Sequence, residues 1–463
     1  MKYDSSKVLM IVPTPFFSDR GCHVRILEEA RALADTGIDT VIVTYHLGTD
    51  PDTLQIERIP IVRWYTRTEA GATWGKIYLD IRLFWQAIRV TWRFRPNIIH
   101  AHLHEGALLG IALGYLFKLP VLFDCQGSLT DELAAHGFIR PKSWLERFFL
   151  RLERAIYRRV DAIISSGLIS SPDNFLTRLC PPSQQRFEFL DWVDTTRFSP
   201  ARPEQRQARQ AELGLPTDRI IGVFLGLLEP YQGIDILLEA FPAVLAENSQ
   251  IHLLIIGFPH QARYEQKAKT IGIFNRTTFS GRVPYGHIPA YLQAADFAIA
   301  PKYSPSEANG KLFNFMAAGL ATVAFDTSLN RQILGDAGMY AGYKDGSALA
   351  KAIVSLAADP AERTRRGANL RQRAELFFSS QGRGEELRRI YRQVRQNYHG
   401  PKDRANAFGK QKQCEGSTII LEGARTCPQG QGPEVRRSAA TGGIIVEPGE
   451  YAKCVALGPK DKA

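Results

Sequence analysis

Along most of the chain, short β-branched runs alternate with amphipathic stretches long enough for helices, and the alternation occurs twice. In the first half KVLMIVP (7–13), DTVIVTY (39–45), PNIIHAH (96–102), LPVLFDC (119–125) and DAIISSG (161–167) read as strands. HVRILEEARALADTG and residues 105–117 read as helices between them. RIIGVFLG (219–226), IHLLIIG (251–257), ADFAIAP (295–301) and ATVAFDT (321–327) repeat the pattern around helical stretches such as GIDILLEAFPAVLAEN. Strands separated by helices pair in parallel through right-handed crossovers. Their nearly continuous hydrophobicity is that of a sheet covered on both faces. The expected fold class is therefore α/β, with two Rossmann-like domains built on parallel sheets.

A chain of 463 residues suits this division. The expected boundaries are a first domain over 1–185, a polar, proline-containing link over 186–216, a second domain over 217–383 and a last helix over 384–399. Residues 400–463 lose periodicity, are rich in Gly, Pro, Lys and Gln, and are expected to be a largely disordered tail. The formal net charge of +11 favours acidic partners such as nucleotide phosphates or anionic lipid. Nucleic acid is disfavoured, because the basic residues form no reader motif. Six cysteines without a C-x-x-C pair argue against a zinc ribbon or a disulfide framework and fit a reducing compartment. The first apolar run carries Pro13 and reads as a strand, not a signal peptide, and the longest, from Gly106 to Phe123, is interrupted by Lys118 and Pro120. A cytoplasmic chain without a membrane span is expected.

Ligands of open parallel α/β sheets bind at the carboxyl ends of the strands, so the loops there are the informative ones. The first runs from Pro13 to Gly21 and opens a helix, where Gly21 permits close approach of an anion. No G-x-G-x-x-G follows any strand, which weakens a dinucleotide oxidoreductase. His100, His102 and His104 alternate in IIHAHLHEG and would share a face if the strand continued. No carboxylate beyond Glu105 stands at telling spacing, so no metal site is expected; His100 and His102 read as hydrogen-bonded strand-end residues on the acceptor side, one of them lining a cleft. DCQGSLTDEL (124–133) sets Gln126, a glycine and a hydroxyl at a strand end, groups that suit hydrogen bonds to sugar hydroxyls. In the second half, Gly281 and Arg282 follow one strand, and Glu307, Asn309, Gly310 and Lys311 run from another into a helix, offering a cation and polar groups to a diphosphate and a ribose or sugar.

With these motifs in view the chain resembles glycosyltransferase family 4 from about Lys7 to Tyr398. DWVDTTRFSP (191–200) is similar to the family's interdomain crossing "NGVD-x-x-x-F-x-P", and FMAAGLATVAF to its "EAMA-x-G-x-PVVA". The resemblance implies a GT-B fold, two domains facing a central cleft, and a retaining hexosyltransferase. It further implies a UDP- or GDP-sugar donor on the C-terminal side, a carbohydrate or lipid-linked acceptor on the N-terminal side, and no cofactor or metal.

The departures from the family pattern lie at the donor phosphates. Where the family carries "G-R-L…K-G", this chain has Gly226, Leu227, Leu228 and then Gln232, Gly233, so both cations are missing. Aligned on MAAG, the E-x7-E motif puts Asn314 at the second glutamate, and Glu307 reaches the first only with a one-residue shift. The family's N-domain histidine aligns with Gln126. Lys311, with Arg282 or Lys302, is expected to replace the lost cations, making Glu307, Lys311 and Gln126 the catalytic candidates. Gly21, Gly226, Gln232, Arg282, Asn309, Gly310 and Asn314 are the donor-binding ones. The alternatives are a degenerate, non-catalytic binding protein and a sugar-nucleotide epimerase of the same architecture. Residues 76–96 and 140–160 repeat apolar and arginine residues at helical spacing. They read either as core-packing helices with a solvated basic face or as helices lying on the inner face of the plasma membrane, where a lipid-linked acceptor for cell-surface polysaccharide or glycolipid would be found.

Overall fold

A computed structural model describes residues 6–19, 21–51, 53–66, 74–135, 137–167, 174–304 and 309–400. The tail expected to be disordered lies, from residue 401 on, outside the described residues. The first domain runs β1 (Lys7–Val12), α1 (Gly21–Asp35), β2 (Asp39–Thr44), β3 (Gln55–Arg58), α2 (Trp74–Phe94), β4 (Ile98–His102), α3 (Leu103–Phe117) and β5 (Val121–Cys125). It continues with α4 (Leu129–Ala135), α5 (Trp144–Arg159), β6 (Ala162–Ser165), α6 (Phe175–Leu179) and β7 (Gln185–Glu188). All seven strands are parallel, in the order β3-β2-β1-β4-β5-β6-β7.

The second domain runs α7 (Pro203–Glu212), β8 (Ile220–Leu225), α8 (Ile234–Glu247), β9 (Ile251–Ile256), α9 (Gln261–Thr270), β10 (Thr277–Gly281), α10 (Ile288–Gln293) and β11 (Phe297–Ala300). Then follow α11 (Lys311–Ala317), β12 (Thr322–Phe325), α12 (Ser328–Leu334), β13 (Met339–Ala341), α13 (Gly346–Ala358) and α14 (Pro360–Phe377). Its six strands are parallel too, in the order β10-β9-β8-β11-β12-β13. The central strands are buried on both faces: in β1 and β9, side chains of either parity are out of solvent. Every strand anticipated from the sequence is present. The three for which no run stood out, β3, β7 and β13, are outermost strands of the two sheets, as is β10, the strand that ends at Gly281. An edge strand has one neighbour and needs no unbroken apolar run, as QIER and QRFE show.

Two boundaries shift. The expected link over 186–216 holds most of β7, which closes the first sheet, and α7, whose Gln210 donates to Ala294 O of the second domain. The crossing proper lies between these elements, where Val193 N donates to Phe378 O and Ser380 N donates to Val193 O. The last helix, α15 (Arg383–Gln396), then returns to the first domain and packs along α1. There Arg388 reaches Thr36 O, and the Tyr391 hydroxyl lies 2.8 Å from His100 Nδ1. Among the described residues no helix is long and apolar enough to cross a membrane.

Candidate active site

In each sheet the strand order reverses once, between β1 and β4 and between β8 and β11, and a crevice opens at the carboxyl ends of strands at such a point. A cleft with a cavity of about 370 Å³ joins the two crevices. Thr14 and Pro15 after β1, Leu103 and His104 after β4, Gly226 and Leu227 after β8, and Lys302 after β11 all line it.

On the second-domain wall the Lys311 ammonium donates to Gln232 Oε1 at 2.7 Å and stands 4.8 Å from the centre of the Phe224 ring. Gly226 makes room for it: a Cβ there would lie 2.7 Å from Lys311 Nζ. The turn that carries Gln232 closes on Gly233, at φ +78°, where a Cβ would meet Pro301 O at 2.0 Å. Lys302, buried, lines the same cavity. Among the described residues no carboxylate lies within 4.0 Å of Lys311, and burial, together with the charge of Lys302, holds its ammonium well below the usual lysine range. Asn309, Gly310 and Asn314 line the wall beside it, and the buried Asn309 Oδ1 has no hydrogen-bond partner among the described residues.

Of the two cations proposed to assist Lys311, the fold brings Lys302 alongside and sends Arg282 elsewhere. The Arg282 guanidinium pairs with Asp19 across the domain boundary at 3.0 Å and is not part of the cavity lining, although its neighbours Gly281 and Val283 are. Asp19 also accepts from Tyr285 N at 2.9 Å, so this ion pair fastens the loop after β1 to the second domain. Gly21 lines the cleft with open space at its Cβ position. Glu307 lies outside the described residues.

The first-domain wall is organised by a buried charge network. Arg25 of α1 pairs with Asp124 of β5 at 2.9 Å, with Asp191 of the crossing at 2.5 Å and with Glu29 at 3.1 Å. Burial pushes Asp124 up, but Arg25 and the bond from His102 outweigh it and leave the carboxyl well below its usual range. Asp124 accepts at 2.7 Å from Gln126 Nε2 and so fixes the amide in the cleft wall. Asp191 carries the network across, since its Oδ2 would lie 3.4 Å from a Cβ on Gly310.

The acceptor-side reading of His100 and His102 needs correction. Both are fully buried in β4, and neither reaches the cavity. His102 Nδ1 faces Asp124 Oδ2 at 3.1 Å, which places the ring hydrogen on Nδ1. The strand ends there: Leu103 turns the chain at φ +60°, and His104 enters the first turn of α3 instead of continuing the alternation. His104 is therefore the histidine that lines the cleft. The carboxylate that spacing did not offer comes from α1: potential ligand atoms of Glu29, His100 and His102 lie within 4.8 Å of one another. The cluster sits behind the cleft wall, with the Arg25 guanidinium already against Glu29, and burial holds both histidines below their usual range, in the neutral form.

Behind His104, Glu153 of α5 accepts from Leu129 N at 2.8 Å, from the Tyr157 hydroxyl at 2.9 Å and from the Thr130 hydroxyl at 2.5 Å. Burial opposes its charge, yet His104, Thr130 and Tyr157 together bring the carboxyl down to about 2. A carboxyl depressed in the folded state stabilises above its unfolded value near 4.5 and loses that contribution as pH falls towards 2. Glu153→Gln is expected to lower stability at pH 7 by roughly 1–3 kcal/mol and to flatten the loss between about pH 4.5 and 2, as urea unfolding against pH would record.

Two such domains around a shared cleft recur in solved structures. HepE of Anabaena, solved in complex with UDP-glucose, superposes with a TM-score of 0.67 at 14% identity, over 84% of this chain and 99% of that one. Residues 20–167 match the glycosyl transferase 4-like domain and residues 205–373 the glycosyl transferases group 1 domain. The chain is 24% identical over 340 residues to the 2-deoxystreptamine N-acetyl-D-glucosaminyltransferase of Streptomyces fradiae, covering 70% of this chain and 78% of that one. It is 28% identical over 218 residues to a GDP-mannose-dependent monoacylated phosphatidylinositol monomannoside mannosyltransferase of Corynebacterium glutamicum, covering 45% and 56%. The chain belongs to the group 1 (family 4) glycosyltransferases and has the GT-B fold.

Proposed function

We propose that this glycosyltransferase moves a sugar, with retention of configuration, from a UDP- or GDP-linked donor to a hydroxyl of a saccharide or glycolipid acceptor. The bond from the sugar's anomeric carbon to the diphosphate breaks with its electron pair on the phosphate oxygen, and the acceptor oxygen bonds to that carbon. The products are the glycoside, the nucleoside diphosphate and a proton. The observation that carries this reading is the pair Lys302 and Lys311, two lysines sunk in the cleft, with no carboxylate at Lys311 among the described residues to neutralise it. Such a pair is a preorganised counter-charge for the negative charge that develops on a leaving diphosphate.

Lys311 and Lys302 take the diphosphate, replacing the family's missing cations. Asn314 and Asn309 take ribose or sugar hydroxyls. Gln126 and His104 border the acceptor, and the reaction proceeds without a metal. The UDP-glucose complex of the HepE fold and the GDP-mannose dependence of the corynebacterial relative support a nucleotide-linked donor. That relative's phosphatidylinositol-based acceptor supports a glycolipid. The reaction is placed at the cytoplasmic side of the membrane.

Thermal unfolding in a panel of UDP, GDP, ADP and their sugars tests the reading. A nucleotide at about 100 times its Kd adds roughly 2.7 kcal/mol. One of UDP or GDP is expected to raise Tm by several degrees, and no shift with any member of the panel would sink the proposal.

A further inference from the structure

Helix α2 has two apolar faces. Leu79, Leu83, Ala87 and Val90 point into the core. Tyr78, Ile81, Trp85 and Trp92, spaced by three, four and seven residues, form a second stripe on the opposite side, with Trp85 and Trp92 63% and 77% exposed. An outward apolar stripe on a helix that already has its core face lacks a partner within the fold. It also extends sideways: the exposed Trp64 ring lies tilted against Tyr78, with ring centres 5.5 Å apart. Helices α2, α3 and α5 cover one face of the first sheet, and of the six tryptophans four (Trp64, Trp85, Trp92 and Trp144) are exposed on or beside this layer.

The charge around the stripe is mainly basic, with Glu57 paired to Arg93. Arg82, Arg89 and Arg93 border it on α2, and α5 presents Arg147, Arg151, Arg154 and Arg158 outward. Among the described residues Arg89 and these four have no carboxylate within 4.0 Å. The two helices carry nine basic and three acidic side chains. A face of that charge repels a second copy of itself and attracts an anionic surface. Tryptophan with arginine alongside is the composition of a helix seated at the headgroup and acyl boundary.

We propose that the α2–α3–α5 layer docks the enzyme on an anionic lipid bilayer, with the Tyr78–Ile81–Trp85–Trp92 stripe at the acyl boundary and the α2 and α5 arginines on the headgroups. The seat adjoins the cleft. Tyr65, a cleft-lining residue, meets Trp64 edge to face with ring centres 5.8 Å apart, and Lys76 in the first turn of α2 also lines the cavity. A lipid-linked acceptor held in the bilayer then enters the cleft past Trp64, and this second step alone rests on the transferase reading.

The test is sedimentation of the full chain with vesicles of phosphatidylcholine alone or with roughly one-third phosphatidylglycerol, at low and high salt, beside a Trp85→Ser/Trp92→Ser variant. Both positions are exposed and neither lines the cleft, so the variant should keep its fold and its Tm shift with nucleotide. Expected are binding to the anionic vesicles at low salt, loss at high salt, and roughly tenfold weaker partition both for the variant and on neutral vesicles. Wild-type protein left in the supernatant with anionic vesicles would overturn the docking face, as would a variant that binds equally well. A dimer in analytical ultracentrifugation that the variant abolishes would overturn it too, by assigning the face to a second copy. Nucleotide stabilisation is read separately, so failure of the seat and failure of the transferase reading are distinguishable.

Discussion

Lys311→Met is expected to lower the turnover of sugar transfer by roughly 10²–10³-fold, equivalent to about 3–4 kcal/mol of lost transition-state stabilisation. The fold should not suffer. The ammonium has one hydrogen-bond partner, the amide oxygen of Gln232, and no compensating carboxylate among the described residues, so its removal relieves a desolvated charge. Unfolding in the absence of ligand should therefore be unchanged or shifted to slightly higher denaturant. Lys302→Met is expected to act in the same direction, and the double variant to cost less than the sum, because both lysines serve one diphosphate. Steady-state kinetics beside a urea titration separates the outcomes. A variant with intact turnover would remove Lys311 from the phosphate site, and one that unfolds would make it a structural residue.

The largest loss of stability is expected at Arg25. One guanidinium faces Asp124, Asp191 and Glu29, and those charges raise its own ionisation above the usual range despite the cost of burial. Arg25→Met leaves buried carboxylates without a counter-charge, which costs roughly 3–5 kcal/mol. It also frees Asp191, the link of the network to the crossing and to Gly310. Arg31→Met provides the contrast: Arg31 is partly exposed and pairs with Glu28 at 3.1 Å within the same helix, so its loss should cost at most about 0.5 kcal/mol. Equal effects of the two substitutions in urea unfolding would show that the buried network does not hold the first domain and its crossing together.

What could be read from the amino-acid order follows the physics of burial. Strands such as MIV in β1 or HLLII in β9 are covered on both faces and announce themselves as apolar runs. The edge strands have half that constraint, and QIER in β3 looks like a polar loop. In the site, Lys311 and Gln232 were legible as members of loops at strand ends, because the switch-point rule selects those loops whatever their partners. That Lys311 would donate to Gln232, and that Lys302 instead of Arg282 would stand beside it, depends on which loop crosses the domain boundary. Spacing along one chain does not encode that. The histidines misled for a local reason: alternation holds only while the strand lasts, and the left-handed turn at Leu103 ends it one residue before His104. A carboxylate for His100 and His102 was sought nearby in sequence, whereas Glu29 arrives from α1, more than seventy positions earlier. Of the two basic, aromatic segments, α2 packs into the core with one face and leaves the other exposed.

Calorimetric titration of UDP and GDP into the wild type and Lys311→Met, across pH and in buffers of different ionisation enthalpy, probes the donor site itself. Burial and Lys302 hold the free lysine below its usual range, and a bound diphosphate draws it back to the ammonium form. Binding to the wild type should therefore take up a fraction of a proton and weaken as pH rises through the lowered value. In Lys311→Met the affinity should fall and the proton uptake should vanish. Nucleotide binding to both proteins with the same affinity and no proton linkage would contradict a diphosphate seated on Lys311.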